Sequence, residues 1–252
     1  MNLLVTHNTI SSPALEKKAS ELGVNILFQS FISTVSLPLS HKDITFFEEI
    51  NAPVGVLFTS ANGVEYFFNA IEKIPNALTH LRFFTSGEKT TAALVNKGVS
   101  PSASSVIGGE KGVRLIDTSN FNGLSTIVYV TSEKAENDIS EFIGKYDIDC
   151  KRINFYTVED MKPEVLLPIK NMLCNNKIGT VFFTSPSSVK AFFNLIESEP
   201  KCNKERLLEV VGVAAIGDVT GRALEKHGIS PLYIGEGRSL EYELLRCLEK
   251  VA

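Results

Sequence analysis

The chain alternates between two textures. Short unbroken apolar runs stop at hydroxyl or glycine residues, and segments with helical spacing begin at once. Val181-Phe182-Phe183 breaks off at Thr184-Ser185-Pro186-Ser187-Ser188, after which Val189, Phe192, Phe193 and Ile196 recur at i, i+3, i+4 and i+7. Such a run bounded by turn residues reads as a buried strand, and the recurrence as one face of a helix. Ser185 and Pro186 stand where a helix N-terminus favours a hydroxyl cap and a proline in the first turn. A second copy lies half a chain earlier: Gly55-Val56-Leu57-Phe58-Thr59-Ser60-Ala61-Asn62-Gly63-Val64, with Phe58 matching Phe183 and Val64, Phe67, Phe68 and Ile71 repeating the later face.

Three units occur in order, twice. The first is a strand over Leu3 to Thr6, a helix opened by Ser12 and Pro13 and closed by Gly23, and a long extended run from Asn25 to Val35. A helix carrying Ile44, Phe46, Phe47 and Ile50 follows, then the second unit with its corner at Phe58-Thr59-Ser60. The third unit is the run from Leu81, the corner Ser86-Gly87 and a helix from Glu88 to Lys97 ended by Gly98. Ser100 to Ser105 reads as a surface connection, and Gly108-Gly109 opens a short element. Thr126 to Val130 restarts the cycle, followed by a helix from Ala135 to Lys145 and a second extended run from Cys150 to Val158. The Phe183-Thr184-Ser185 corner comes next, and Val213 to Gly217 then enters a helix ended by Gly228. Gly87, Thr90, Leu94, Gly98 and Pro101 match Gly217, Thr220, Leu224, Gly228 and Pro231 at constant spacing. Alternating strands and helices predict two similar α/β halves, each a parallel sheet covered on both faces. Each domain is one contiguous half, or the halves exchange their first unit; the extended runs would suit chains crossing between domains.

Composition narrows the field. At 252 residues the chain can bury a sizeable core as one large or two smaller domains. A hydrophobic content of 44% with 21% charged is ordinary for a soluble globular protein. The net charge of −4 supplies no basic field, so nucleic acid is not the expected partner and any anion site must work locally. Cys150, Cys174, Cys202 and Cys247, and His7, His41, His80 and His227, are scattered without metal-ligand spacing. Reduced thiols in a cytoplasmic protein are the expectation. Leu3-Leu4-Val5 is too short for a signal peptide, and no stretch approaches a membrane span. There is no dinucleotide fingerprint and no Walker sequence, so no cofactor is expected.

Chemistry concentrates at the corners. In open parallel sheets, ligands bind beyond the carboxyl ends of the strands. Thr59-Ser60, Ser86-Gly87, Thr184-Ser185 and Gly217 all fall there, each opening a helix. Backbone N–H groups and the partial positive charge of a helix N-terminus suit an anionic ligand. The plainer alternative is a capped strand-to-helix turn with no ligand.

Phe58-Thr59-Ser60-Ala61-Asn62-Gly63-Val64, Phe183 to Val189, Ala214 to Leu224 and the Tyr156-Thr157 pair together resemble the uroporphyrinogen-III synthase family, over essentially the whole chain and in the same order. The resemblance implies two doubly wound parallel-sheet domains joined by a two-stranded ladder, with a cleft between them. It implies one discontinuous domain of residues 1–36 plus 159–252 and an inserted domain of residues 37–158. It further implies a cofactor-independent lyase of tetrapyrrole (heme) biosynthesis. Linear hydroxymethylbilane, which carries eight carboxylates, would be cyclised to uroporphyrinogen III. Water leaves the terminal hydroxymethyl group, and ring D is inverted through a spiro intermediate. A monomer without membrane attachment is expected.

Carried over residue by residue, the resemblance assigns substrate carboxylates to the amides and hydroxyls of Thr59, Ser60, Asn62, Gly87, Thr90, Thr184, Ser185, Ser187, Ser188, Gly217 and Thr220. Tyr156, a phenol protonated at neutral pH, is the candidate proton donor for the departing hydroxyl; packing within the ladder is its alternative role, because Phe31 holds the matching place in the first unit. The chain departs from the family pattern at His7-Asn8, where an arginine is common, and at Thr131 to Lys134, where a Gly- and Arg-bearing turn is common. The rival readings are a non-enzymatic two-domain binder of a small polyanion and a nucleotide-dependent transferase.

Overall fold

The computed structural model describes residues 1–74, 77–135, 139–198, 207 and 209–251. They form two compact units, residues 1–33 with 159–252, and residues 34–158, so the chain crosses from one to the other twice.

The discontinuous unit is built on a five-stranded sheet. Its strands are β1 (Asn2–Val5), β2 (Asn25–Phe28), β9 (Thr180–Phe183), β10 (Gly212–Ala215) and β11 (Tyr233–Ile234), in the order β11-β10-β9-β1-β2. Every pairing in it is parallel. Successive side chains of a strand point to opposite faces, and the core divides accordingly. Leu4, Val181, Phe183, Val213 and Ala215 join the helix faces of Leu166, Ile169, Leu173, Val189, Phe192 and Phe193 on one side. Leu3, Val5, Phe182 and Ala214 join Leu15, Ala19, Leu244 and Leu248 on the other. Unbroken apolar strands follow from burial on both faces.

The contiguous unit holds a six-stranded sheet. Its strands are β3 (Ile32–Ser36), β4 (Val54–Phe58), β5 (Leu81–Ser86), β6 (Ala103–Ser105), β7 (Thr126–Ser132) and β8 (Asp149–Asp160), in the order β3-β8-β7-β4-β5-β6. Its central strands pair in parallel, and Phe58, Phe83, Val128 and Val130 face one layer while Leu57, Phe84, Ile127 and Tyr129 face the other. Phe67 sits edge-on to Phe47, Phe58, Phe68 and Phe83, contacts that contribute about 0.5–1.5 kcal/mol each beyond area burial. Gly55 lies in the middle of this sheet because a Cβ there would come within 2.7 Å of Ile127.

Several expectations need correction. The run from Asn25 to Val35 is two strands, β2 and β3, in different sheets, because the chain changes units there. The segment Ser100 to Ser105 is partly strand, since β6 completes the sheet beside β5. The expected helix from Ala135 to Lys145 shrinks to Ser140–Gly144, with residues 136–138 outside the described residues. Cys174 is disulfide-bonded rather than reduced, and Cys202 lies outside the described residues. Helices Pro163–Cys174 and Leu240–Val251 were not anticipated.

Candidate active site

The corner after β4 is shaped by its cap. Ser60 has extended backbone angles at the N-cap of helix Ala61–Ile71, and its Oγ accepts the Gly63 N–H at 2.9 Å. The same Oγ lies 3.0 Å from the Tyr156 hydroxyl, where either oxygen can donate. Tyr156 arrives there through an irregularity in β8. Thr131 is registered with Asn154 but Ser132 with Tyr156, so Phe155 is the extra residue. Strict alternation would place Tyr156 opposite Phe155. With the bulge, both pack into the same core layer.

A second tyrosine fixes the ring. Tyr66, from the helix capped by Ser60, stacks on Tyr156 at 5.1 Å and 14°. The Tyr66 hydroxyl lies 2.8 Å from both the carbonyl oxygen and Oγ1 of Thr34. Tyr129 reaches Thr59 Oγ1 at 3.4 Å. Tyr156 is only 6% exposed, and burial raises its phenol above the ordinary value; the Ser60 hydrogen bond opposes this, while Tyr129 and Tyr66 add to it. The group is therefore a proton carrier at neutral pH. Asn154 Oδ1 and Thr157 Oγ1, two and one residues away, are buried without a hydrogen-bond partner, a cost of about 1–3 kcal/mol each.

The third-unit corner of this half is built differently. Gly87 caps helix Glu88–Asn96 with no side-chain acceptor and a φ of 95°, a left-handed value that favours glycine. A Cβ on Gly87 would sit 3.1 Å from Gly108 Cα. Thr90 is buried in the first turn of that helix.

The discontinuous unit repeats both corners. Ser185 forms a capping box with Ser188 at the start of helix Pro186–Glu197. Ser188 is fully buried, with its hydroxyl engaged by Thr6 and Ser185. Thr184 donates to the Thr6 carbonyl at 2.8 Å. The Ser188 hydroxyl is thus held inside the protein and that of Thr184 is half-buried, whereas Ser187, like Asn62, is exposed. Gly217 again caps its helix, Asp218–Glu225, without a side-chain acceptor, and Thr220 is again buried. Glycine corners thus leave first-turn amides with no side-chain acceptor at the cap, whereas serine corners supply one.

Tyr66 and Tyr129 escaped the sequence reading. The signal available was divergence between the copies: Tyr66 occupies the place of Ala191, as Tyr156 occupies that of Phe31. Phe31 packs in a purely apolar setting against Phe192 at 5.6 Å. Among the described residues no group of three or more His, Cys, Asp or Glu is placed to hold a metal ion. None of their helices is long and apolar enough to cross a membrane.

Fold and corners together define a duplicated, doubly wound α/β protein whose strands end in hydroxyl- or glycine-bearing helix starts, with a buried tyrosine at one of them. A family profile described as uroporphyrinogen-III synthase HemD matches residues 13–241. A uroporphyrinogen-III synthase of Chlorobaculum parvum is 32% identical over 182 residues, covering 69% of this chain and 70% of that one. A porphyrin biosynthesis protein HemD of Ruminiclostridium josui is 23% identical over 90% of this chain and 44% of its own length. Among solved structures, a uroporphyrinogen III synthase of Thermus thermophilus superposes with a TM-score of 0.62 at 19% identity, covering 100% of this chain and 98% of the other. The Helicobacter pylori enzyme gives 0.63 at 17% identity, with 98% of each chain covered. The chain belongs to the uroporphyrinogen-III synthase family.

Proposed function

We propose that this chain cyclises hydroxymethylbilane to uroporphyrinogen III, with Tyr156 as the proton donor. The observation that carries the assignment of the acid is the Tyr156–Ser60 pair: a largely buried phenol, held by a stacked tyrosine, with its oxygen 3.0 Å from a helix-capping hydroxyl. Protonation of the terminal hydroxymethyl oxygen lets the carbon–oxygen bond break and water leave. When the phenol gives up its proton, Ser60 can turn its own hydroxyl hydrogen toward the phenolate, since its lone pair already serves the Gly63 N–H. Burial raises the phenol's pKa, so the proton is present throughout the physiological range and its transfer is favoured only toward a strongly basic developing group.

The substrate's carboxylates are assigned to the corners of each unit. Gly87 with Thr90, and Gly217 with Thr220, offer amides that no side chain caps; Thr59, Ser60, Asn62, Thr184, Ser185 and Ser187 frame the serine corners, where the hydroxyl of the fully buried Ser188 holds the turn. Each helix N-terminus presents roughly half a positive charge, which lets a chain of net charge −4 hold a polyanion. Much of the rate then comes from holding a flexible chain in the conformation that closes. In the test, purified protein is given hydroxymethylbilane and the product is oxidised and separated by isomer. Isomer III is expected; isomer I alone, the spontaneous product, refutes the proposal.

A further inference from the structure

Glu243 is the one charged side chain that is buried, among the described residues, and it is 0% exposed. It lies in the first turn of helix Leu240–Val251, where the helix dipole favours an anion. Its Oε1 accepts the backbone N–H groups of Glu236 at 3.1 Å and Arg238 at 2.9 Å, and its Oε2 accepts the Tyr233 hydroxyl at 2.5 Å. A buried carboxylate is costly unless several donors meet it. Here all of them belong to β11 or to the loop that follows it.

That loop underlies the Gly217 corner. Gly235 and Gly237 donate their N–H groups to the carbonyls of Ala215 and Ile216, at the end of β10. A Cβ on Gly217 would lie 3.2 Å from both Cα and N of Gly237, and Gly237 itself has a φ of 74°. The matching approach in the other unit, Gly87 to Gly108, is held from the strand instead: Ser86 Oγ donates to the Gly109 carbonyl at 2.7 Å. The place of Ser86 is taken by Ile216 in this half, which has no hydroxyl to offer.

We propose that Glu243 is a positioning residue for substrate binding: by pinning residues 235–238 against the end of β10, it fixes the backbone amides that open helix Asp218–Glu225. This rests on the synthase reading of the Gly217 corner. The two can be tested separately.

Wild-type, Glu243→Gln, Glu243→Asp and Glu243→Leu proteins are compared by residue-resolved amide hydrogen exchange and by steady-state kinetics with hydroxymethylbilane. Gln retains an acceptor at Oε1, so exchange and KM should stay within about twofold of wild type. Asp is a methylene too short and Leu offers no acceptor. Both should speed exchange by about tenfold at Glu236 and Arg238, whose N–H groups Glu243 accepts, and at Gly235 and Gly237, whose N–H groups hold the loop to Ala215 and Ile216. Both should also raise KM by about tenfold while kcat stays within about threefold. The Asp variant decides the matter if Leu prevents folding. Unchanged exchange at Gly235 and Gly237, or a wild-type KM in a folded Asp or Leu variant, overturns the proposal, as does a fall in kcat alone, the mark of a merely reduced folded fraction. If the wild-type protein yields isomer I only, the synthase reading fails, and the exchange comparison still decides whether Glu243 holds the corner.

Discussion

Tyr156 owes its place to three neighbours that do different work. Tyr66 orients the ring, Ser60 meets the oxygen, and the extra residue Phe155 turns the side chain to the face where both wait. Removing the hydroxyl should leave the stack intact, so Tyr156→Phe is expected to lower kcat roughly 10- to 100-fold with KM little changed, measured by rate of isomer III formation. The raised phenol also has a stability consequence. A group whose folded pKa exceeds its unfolded value stabilises fully below the unfolded value, and that contribution is lost as pH rises through the folded one. Denaturant titrations should therefore show wild type losing stability above pH 10, an ordinary tyrosine value, more steeply than Tyr156→Phe. Equal slopes would show that this phenol is not held protonated by folding. The tyrosine was legible in the sequence only through family likeness; its partners were not, because stacking depends on a bulge and a helix phase that no local pattern encodes.

Helix starts carry the next level of organisation. Ser60 and Ser185 are equivalent caps, and each should contribute about 1 kcal/mol to stability. Only Ser60 also touches a tyrosine. Ser185→Ala is therefore expected to cost about 1 kcal/mol by urea unfolding with little change in kcat, while Ser60→Ala costs the same and also slows turnover. In a Ser60→Ala/Tyr156→Phe double variant the kcat losses should not add. Additive losses would separate the serine from the proton transfer. Elements were read most surely where three independent patterns agreed. The corners at Thr59-Ser60 and Thr184-Ser185 combined an apolar stop, a cap residue and a helical recurrence, and all three hold in the structure. Where the signal was extension alone, as in residues 25–35, periodicity could not show that one half pairs with β1 and the other stands beside β8. Helix Leu240–Val251 was missed although its apolar positions recur at helical spacing, because it lay beyond the last repeated corner.

At the scale of the whole molecule, each unit has its own sheet and its own two core layers. The unit of residues 34–158 is continuous in sequence, whereas the other takes its two outer-to-middle strands β1 and β2 from the beginning of the chain. A fragment of residues 34–158 is expected to unfold cooperatively in urea, with a slope of about 1–3 kcal/mol per molar. A fragment of residues 159–252, deprived of β1 beside β9, should show no such transition. Cooperative folding of the second fragment would show that β1 and β2 are dispensable to their sheet, and failure of the first to fold would mean that it depends on the other unit in a way its separate core does not suggest.

The position of β1 between β2 and β9 has a bearing on biosynthesis. On the ribosome, Leu3, Leu4 and Val5 are made long before their second neighbouring strand, which they meet only once Thr180 to Phe183 has been translated. At about 5–20 residues per second, that leaves the parallel pair of β1 and β2 with its connecting helix, without the rest of its sheet, for on the order of ten seconds. Meanwhile the inserted unit can complete itself. Translation order thus makes the β1–β2 segment of this enzyme a natural client for chaperones that shield unfinished strands.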